Sequence, residues 1–251
     1  MSEALVWPIA LGILGLVFGS FIATVAIRWP GGRSALAGRS ACDGCDRTLS
    51  PLELIPLVSW IALRGRCRTC GTSIARSHPA TEAIGLAIGV AAGLASPDWA
   101  GGAGAIFGWL LLAAGSVDLA AFRLPNPVTL AIAIGGLAGG AIGLAPSLTD
   151  RAIGGVAGFA ALWLAAAGYR AVRGRDGLGG GDAKLFGAIG LWLGWRALPP
   201  TLLIACGLGL MVVIAMTIAG RTVRATDRLP LGSLLAVAAF AMWLLQSWNS
   251  R

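Results

Sequence analysis

WAGGAGAIFGWLLLAAGSVD, residues 99–118, runs for nineteen positions without a charge and then closes on an aspartate. As helix, a run of that length rises about 28 Å, close to the roughly 20 residues needed to cross the hydrocarbon of a bilayer. The stretch reads as a membrane helix with Asp118 at its end, and most of the chain reads the same way. Hydrophobic residues make up 57% of 251 positions, charged residues 12%, and the mean hydropathy is +0.80. Soluble domains carry about 25% charged residues. Further apolar runs at about 4–27, 83–98, 127–146, 152–169, 185–198, 200–220 and 229–246 complete the pattern.

The expectation is an all-α membrane protein, a polytopic bundle of about eight transmembrane helices. Two runs, 83–98 and 185–198, are short enough to lie inside the bundle or beside re-entrant backbone. The first run is not expected to be a cleaved signal peptide. It lacks a basic start, carries Glu3 and is about twice the length of a usual apolar signal region.

Orientation follows from the basic residues, which collect in cytoplasmic loops. With the N-terminus and C-terminus outside, the cytoplasmic segments hold Arg28, Arg33, Arg39, Arg47, Arg64, Arg66, Arg68, Arg76, Arg123, Arg170, Arg173, Arg175, Lys184, Arg221, Arg224 and Arg228. That is sixteen of the 19 basic residues, leaving Arg151, Arg196 and Arg251 outside. A net charge of +8 and a pI near 10.5 would suggest nucleic acid in a soluble domain. Here the same charge reads as anchoring against anionic lipid of the bilayer, and no nucleic acid partner is expected. Trp29, Trp99, Trp195 and Trp248 fall near span ends, as interfacial anchors do.

Only residues 28–79 are long and polar enough to fold outside the bilayer. They contain Cys42 and Cys45, a spacer of 21 residues, then Cys67 and Cys70. Two C-x2-C pairs suit one tetrahedral Zn²⁺, and about 50 residues hold too little core to fold unaided. Two disulfides are the other reading, favoured in oxidising compartments. The charge pattern puts this loop in the cytoplasm and so favours zinc, structural because four thiolates leave no open position. Cys206, alone in an apolar run, reads as packing. His78, the one histidine, reads as a satisfied loop residue rather than the base of a serine or cysteine hydrolase.

The acids are few enough to take one by one. Glu3, Asp98 and Asp150 fall outside; Asp43, Asp46 and Glu53 fall in the zinc loop; Glu82 opens the second span; Asp176 and Asp227 lie among arginines and are expected to be solvated. Asp118 in GSVDLAAFRLPN and Asp182 in GLGGGDAKLFG remain, one where a helix leaves the membrane and one where a helix enters it. Both sit at the same depth. An acid inside a span costs roughly 2.5–3.5 kcal/mol, less near the interface, which marks it as functional by default.

Singly, Asp182 could be a helix N-cap and Asp118 an interfacial acid. As neighbours they could share one proton, the ionised member taking a proton from water while the protonated member polarises a carbonyl. That chemistry hydrolyses a peptide without serine, histidine or a catalytic metal. Gly179, Gly180 and Gly181 would let an extended substrate approach Asp182 and would permit unusual dihedrals. Lys184 either tunes the pair or faces lipid headgroups.

These residues resemble the type IV prepilin peptidases, polytopic aspartic proteases of the bacterial inner membrane. The resemblance begins at GSFIATVAIRWP, continues through CDGC and ELIPLVSWIALRGRCRTCGTSIARSHPATE, and ends in DLAAFRLPN and GLGGGDAKLFGAIGLWLG. It implies that Asp118 and Asp182 are the catalytic aspartates and that Cys42, Cys45, Cys67 and Cys70 carry a cytoplasmic zinc-binding segment. It also implies removal, at the cytoplasmic face, of a short basic leader from prepilins or pseudopilins of type IV pili and type II secretion. Many members then methylate the new N-terminus from S-adenosylmethionine; no nucleotide-binding glycine fingerprint is visible, so methylation rests on the resemblance alone. The expected division is 1–27, a first transmembrane helix; 28–79, the zinc-binding domain; and 80–251, the transmembrane peptidase bundle. HPATE departs from the family's pattern by having His78 where an aromatic residue is usual. Two other classes remain in view: a transporter or channel with an acidic cation site and a zinc docking loop, and a membrane scaffold.

Overall fold

The computed structural model describes residues 3–35, 38–175, 177–222, 224 and 228–249. Asp176, Asp227 and Arg251, placed above by charge alone, lie outside the described residues. The long helices are α1 (Glu3–Arg28), α3 (Ser77–Ala95), α4 (Trp99–Ala121), α5 (Asn126–Ala141), α6 (Leu148–Arg173), α7 (Gly180–Leu193), α8 (Leu198–Ile218) and α9 (Leu231–Asn249), with a five-residue α2 (Val58–Ala62) in the polar loop. Among the described residues the only strand pairing is two isolated bridges, Ala41 with Thr48 and Arg66 with Ser73. The fold is all-α.

Each apolar run becomes a helix, yet the expected count of eight spans is not reached. Among the described residues, five segments are long and apolar enough to cross a membrane: Leu5–Gly31, Trp99–Ala121, Leu148–Arg173, Trp195–Ile218 and Leu231–Asn249. The physical reason is helix length and polarity at the helix ends. With 14 residues α7 rises only about 21 Å, and with 16 residues α5 only about 24 Å, short of the roughly 30 Å of hydrocarbon. In α3 the first turn is the polar SHPATE. The four tryptophans proposed as anchors are all exposed at helix ends.

Contacts divide the chain into two compact units, Met1–Ala105 and Ile106–Arg251. In the first, α1 and α3 run antiparallel with their backbones almost touching. A Cβ on Gly15 would collide with the Gly85 carbonyl, one on Gly89 with the Leu11 carbonyl, and one on Gly93 would lie 2.5 Å from the Pro8 nitrogen. Gly85, Gly89 and Gly93 recur every four residues, so they share one face of α3. Small residues at this spacing are the usual means of close helix packing in lipid, where apolar side chains gain nothing by leaving their surroundings.

In the second unit the shortest long helix is the innermost. Leu185, Phe186, Ile189 and Leu193 of α7 are at most 2% exposed. Gly190 of α7 meets the Gly154 carbonyl of α6, and a Cβ on Gly136 of α5 would lie 2.6 Å from the Leu191 carbonyl. Surrounded by helices, α7 need not span the bilayer alone, and its first turn becomes a fixed platform within the bundle.

The opposite end of α7 is held by Arg151, which is 2% exposed. Its guanidinium donates to five carbonyls: Ala145 at 2.8 Å, Pro146 and Gly136 at 2.9 Å, Leu191 at 3.0 Å and Leu144 at 3.2 Å. Leu191 lies in the last turn of α7, whose carbonyls lack helical partners and favour a cation. Sequence reading had counted Arg151 only as a basic residue outside. We expect Arg151→Met to lower unfolding free energy by roughly 3 kcal/mol or more, because five acceptors lose a charged donor at once. Thermal unfolding in detergent checks this; an unchanged midpoint would show the network to be dispensable.

Candidate active site and metal centre

Asp118 lies in the last turn of α4 and is 5% exposed. A buried carboxylate needs donors, and these come from the first turn of α9. The Ser233 amide donates to Asp118 Oδ2 at 2.9 Å, and the Ser233 hydroxyl lies 3.1 Å from the same oxygen. That hydroxyl also sits 2.8 Å from the Gly115 carbonyl, so its one proton is divided between two acceptors.

Asp182 is the third residue of α7, half-buried, with Gly179 as the N-cap. It is therefore not the cap the sequence had suggested. Its carboxyl reaches back to the Gly179 amide, as an acid at the third helical position commonly does. The charge of Asp118 acts on it directly. One side chain, Leu124, sits against both sides of the site: a Cβ on Gly181 would lie 3.1 Å from it, and a Cβ on Gly232 would lie 2.9 Å from Leu124 and 3.0 Å from Asp118 Oδ2. The ends of α4, α7 and α9 thus converge, and the bundle brings together the two acids that the sequence singled out.

The unusual dihedrals that the sequence suggested for the glycines are not used. None of Gly179, Gly180 and Gly181 has a positive φ. Gly179 leaves room for the Asp182 carboxyl, Gly181 admits Leu124, and Gly180 faces open space. Lys184 donates to Asn126 at 3.1 Å, at the start of α5. These two residues stand at the mouth of an apolar groove of 960 Å³ between α5, α6 and α7, lined by Leu130, Val156, Phe159 and Leu191.

In the polar loop, one sulfur from each of Cys42, Cys45, Cys67 and Cys70 lies within 4.8 Å of the others, and Cys42 and Cys70 are 3.8 Å apart. Four sulfurs about 2.3 Å from a tetrahedral zinc would stand about 3.8 Å from one another, so the donor set fits this ion. Each C-x2-C forms a similar turn. Asp46 and Gly71, four residues after the first cysteine of their pairs, both adopt left-handed backbone, and their amides donate to the Cys42 and Cys67 carbonyls. The amides of Cys70 and Thr69 point at the Cys67 sulfur and draw its thiol down to about 6. Nearby, Arg47 grips Glu53 with two bonds, 2.6 and 3.0 Å, and the Ser50 amide adds a third at 2.9 Å, holding the carboxyl down at about 2.

His78 falls in the first turn of α3 rather than in a loop, with Nε2 3.4 Å from both Ser20 Oγ and Glu82 Oε1. Glu82 is buried and accepts from the Leu57 amide at 2.8 Å. Cys206 is exposed on α8 and does not serve as packing.

Comparison with known proteins bears on this arrangement. Residues 13–95 match the bacterial peptidase A24 N-terminal domain, and residues 105–214 match the type IV leader peptidase family. A protein of Aeromonas hydrophila named prepilin leader peptidase/N-methyltransferase is 36% identical over 84% of this chain and 72% of its own length. Proteins of the same name from Burkholderia pseudomallei (strain K96243) and Stutzerimonas stutzeri are 38% and 31% identical, over 91% and 100% of this chain and 82% and 93% of theirs.

The chain belongs to the type IV leader peptidase family.

No solved structure matches it. Membership makes the chain a multi-pass membrane peptidase and leaves the transporter and the scaffold without support. It also makes three residues that sequence reading passed over worth naming in this peptidase: Leu124, Gly232 and Ser233. The signal available was slight, a small Gly-Ser pair after Pro230 opening the last apolar run. Nothing in the order of residues links that pair to Asp118, 115 positions earlier.

Proposed function

We propose that the peptidase is an aspartic endopeptidase in which Asp118 and Asp182 share one proton and cut the leader from a prepilin or pseudopilin. The observation that carries the reading is the convergence of these two carboxyl groups at one end of the bundle, each on a helix terminus, with Leu124 packed beside Gly181 and Gly232. The ionised carboxylate accepts a proton from water as its oxygen attacks the scissile carbonyl. The protonated carboxyl donates to the carbonyl oxygen, giving a neutral tetrahedral intermediate. Proton return to the leaving amine releases the leader and restores the pair.

The substrate's apolar helix lies along the groove of α5, α6 and α7, whose mouth is marked by Lys184, two residues beyond Asp182. The site's end of the second unit is the basic end: Arg123, Arg170, Arg173, Arg175 and Lys184 lie at helix termini there, against Arg151 and Arg196 at the other. That asymmetry supports a cytoplasmic active site in the inner membrane, with the N-terminus and C-terminus outside. The four cysteines hold a structural Zn²⁺. The relatives' printed names support a second step, transfer of a methyl group from S-adenosylmethionine to the new N-terminal amine.

Mass analysis of a prepilin incubated with the purified peptidase, with and without S-adenosylmethionine, tests both steps at once. The expected result is loss of the leader in both samples and a further 14 Da gain, about one methyl group, only with the methyl donor. An intact prepilin in both would overturn the proposal.

A further inference from the structure

We propose that a cavity in the first unit, walled by α1, α3 and the polar loop, is the binding site of the methyl donor S-adenosylmethionine, with Glu82 holding its cationic end and Arg28 its carboxylate. This rests on the methyl-transfer reading above and deepens it by giving that step a place in the chain.

Two helices direct their few polar residues to this cavity. Ser20, Thr24 and Arg28 recur every four residues, so they share one face of α1, which is otherwise apolar after Glu3. His78 and Glu82 stand four apart on α3. All five line one cavity of 510 Å³, within the range of about 300–1,000 Å³ usual for small-molecule sites. The two helices meet close by, where a Cβ on Gly19 would lie 2.7 Å from the Glu82 Cα. The polar loop supplies the rest of the wall, Trp60 of α2 included. The cavity lies within the residues that match the A24 N-terminal domain, which contain neither Asp118 nor Asp182.

The wall selects a class of ligand. Glu82 is 3% exposed, with Oε2 accepting from the Leu57 amide at 2.8 Å and Oε1 3.4 Å from His78 Nε2. Leu57 reaches it with a φ of 60°, a value non-glycine residues seldom take. A carboxylate buried and held in this way suits a cation. Among the described residues Arg28 has one partner, the Ala41 carbonyl at 3.4 Å, and a guanidinium has five N–H donors to give. The Trp60 indole N–H is buried with no acceptor among the described residues, although a buried tryptophan usually has one.

An acid, a guanidinium, hydroxyls and an indole around one cavity suit a zwitterion that carries an aromatic ring. S-adenosylmethionine has that form: an amino acid end with its carboxylate, a sulfonium that supplies the methyl group, ribose hydroxyls and adenine. It has no phosphate. Glycine-rich loops cradle phosphates, so a site for this donor does not need the fingerprint that the sequence lacks.

The test is equilibrium binding of radiolabelled S-adenosylmethionine to the purified, zinc-loaded peptidase in detergent, for the wild type, Glu82→Gln and Arg28→Met. Zinc content and thermal unfolding show whether each variant is folded. The wild type should bind the label and release it to unlabelled S-adenosylhomocysteine, and each variant should raise Kd by about tenfold or more, the usual loss for one charged hydrogen-bonding partner. If folded variants bound as tightly as the wild type, this inference would fail and the methyl-transfer reading would stand. The same would follow if the wild type bound no label yet methylated a cleaved prepilin. Neither binding nor methylation would overturn both. Displacement of the label by phosphatidylethanolamine, and not by S-adenosylhomocysteine, would assign the cavity to a lipid headgroup and overturn the proposal. Should Glu82→Gln not fold, Arg28→Met decides, because Arg28 lies half-buried in the last turn of α1.

Discussion

Asp118→Asn and Asp182→Asn should each reduce leader removal by roughly 1,000-fold or more while the protein still inserts and binds zinc. The size follows from the mechanism. A general acid and a general base contribute together, and asparagine can neither accept a proton from water nor pass one to the leaving amine. The fold should tolerate both changes. An asparagine at position 118 still offers an oxygen to the Ser233 amide, and position 182 is half-buried in a first helical turn. The check is single-turnover cleavage of a prepilin, with thermal unfolding measured alongside. Wild-type cleavage by either variant would remove the basis for an aspartic mechanism.

The second large effect concerns the cysteines. Removing the metal with a chelator, or replacing Cys67 by serine, should dissolve the structure of residues 41–76. Structural zinc supplies about 10–16 kcal/mol in small domains, more than such a loop can gather from its own packing. The loop holds little else: two isolated bridges, two short helical turns and the Arg47 to Glu53 pair. Hydrogen exchange should show the amides of Cys42, Leu49, Cys67 and Ile74, all bonded within the loop, becoming exchangeable on metal removal. The amides of α7 should keep their protection. If the loop amides stayed protected without metal, the cysteines would not be the loop's main support.

Much of this was visible in the order of residues, and the reason differs from case to case. The apolar runs gave the helices because a backbone in hydrocarbon must satisfy its own hydrogen bonds, and helix does this within one segment. The C-x2-C pairs pointed to the four-cysteine cluster because the two cysteines of each pair are local and need only a tight turn. Asp118 and Asp182 stood out because charge is scarce in this chain. The number of spans did not follow, since a 14-residue α7 is sheltered by α5, α6 and α9 and that shelter is invisible in its own composition. His78 was misread as a loop residue because the helix begins six positions before the apolar run does.

The sequence by itself determined what is local or scarce: helices, cysteine knuckles and two isolated acids. Tertiary structure alone decided that Arg151 serves five carbonyls, that Leu124 lies against both sides of the acid site, and that Ser233 holds Asp118 from 115 residues away. Those contacts join residues from different helices. Their existence depends on how closely glycine faces let the helices approach, and that distance is a property of the packed bundle rather than of any segment within it.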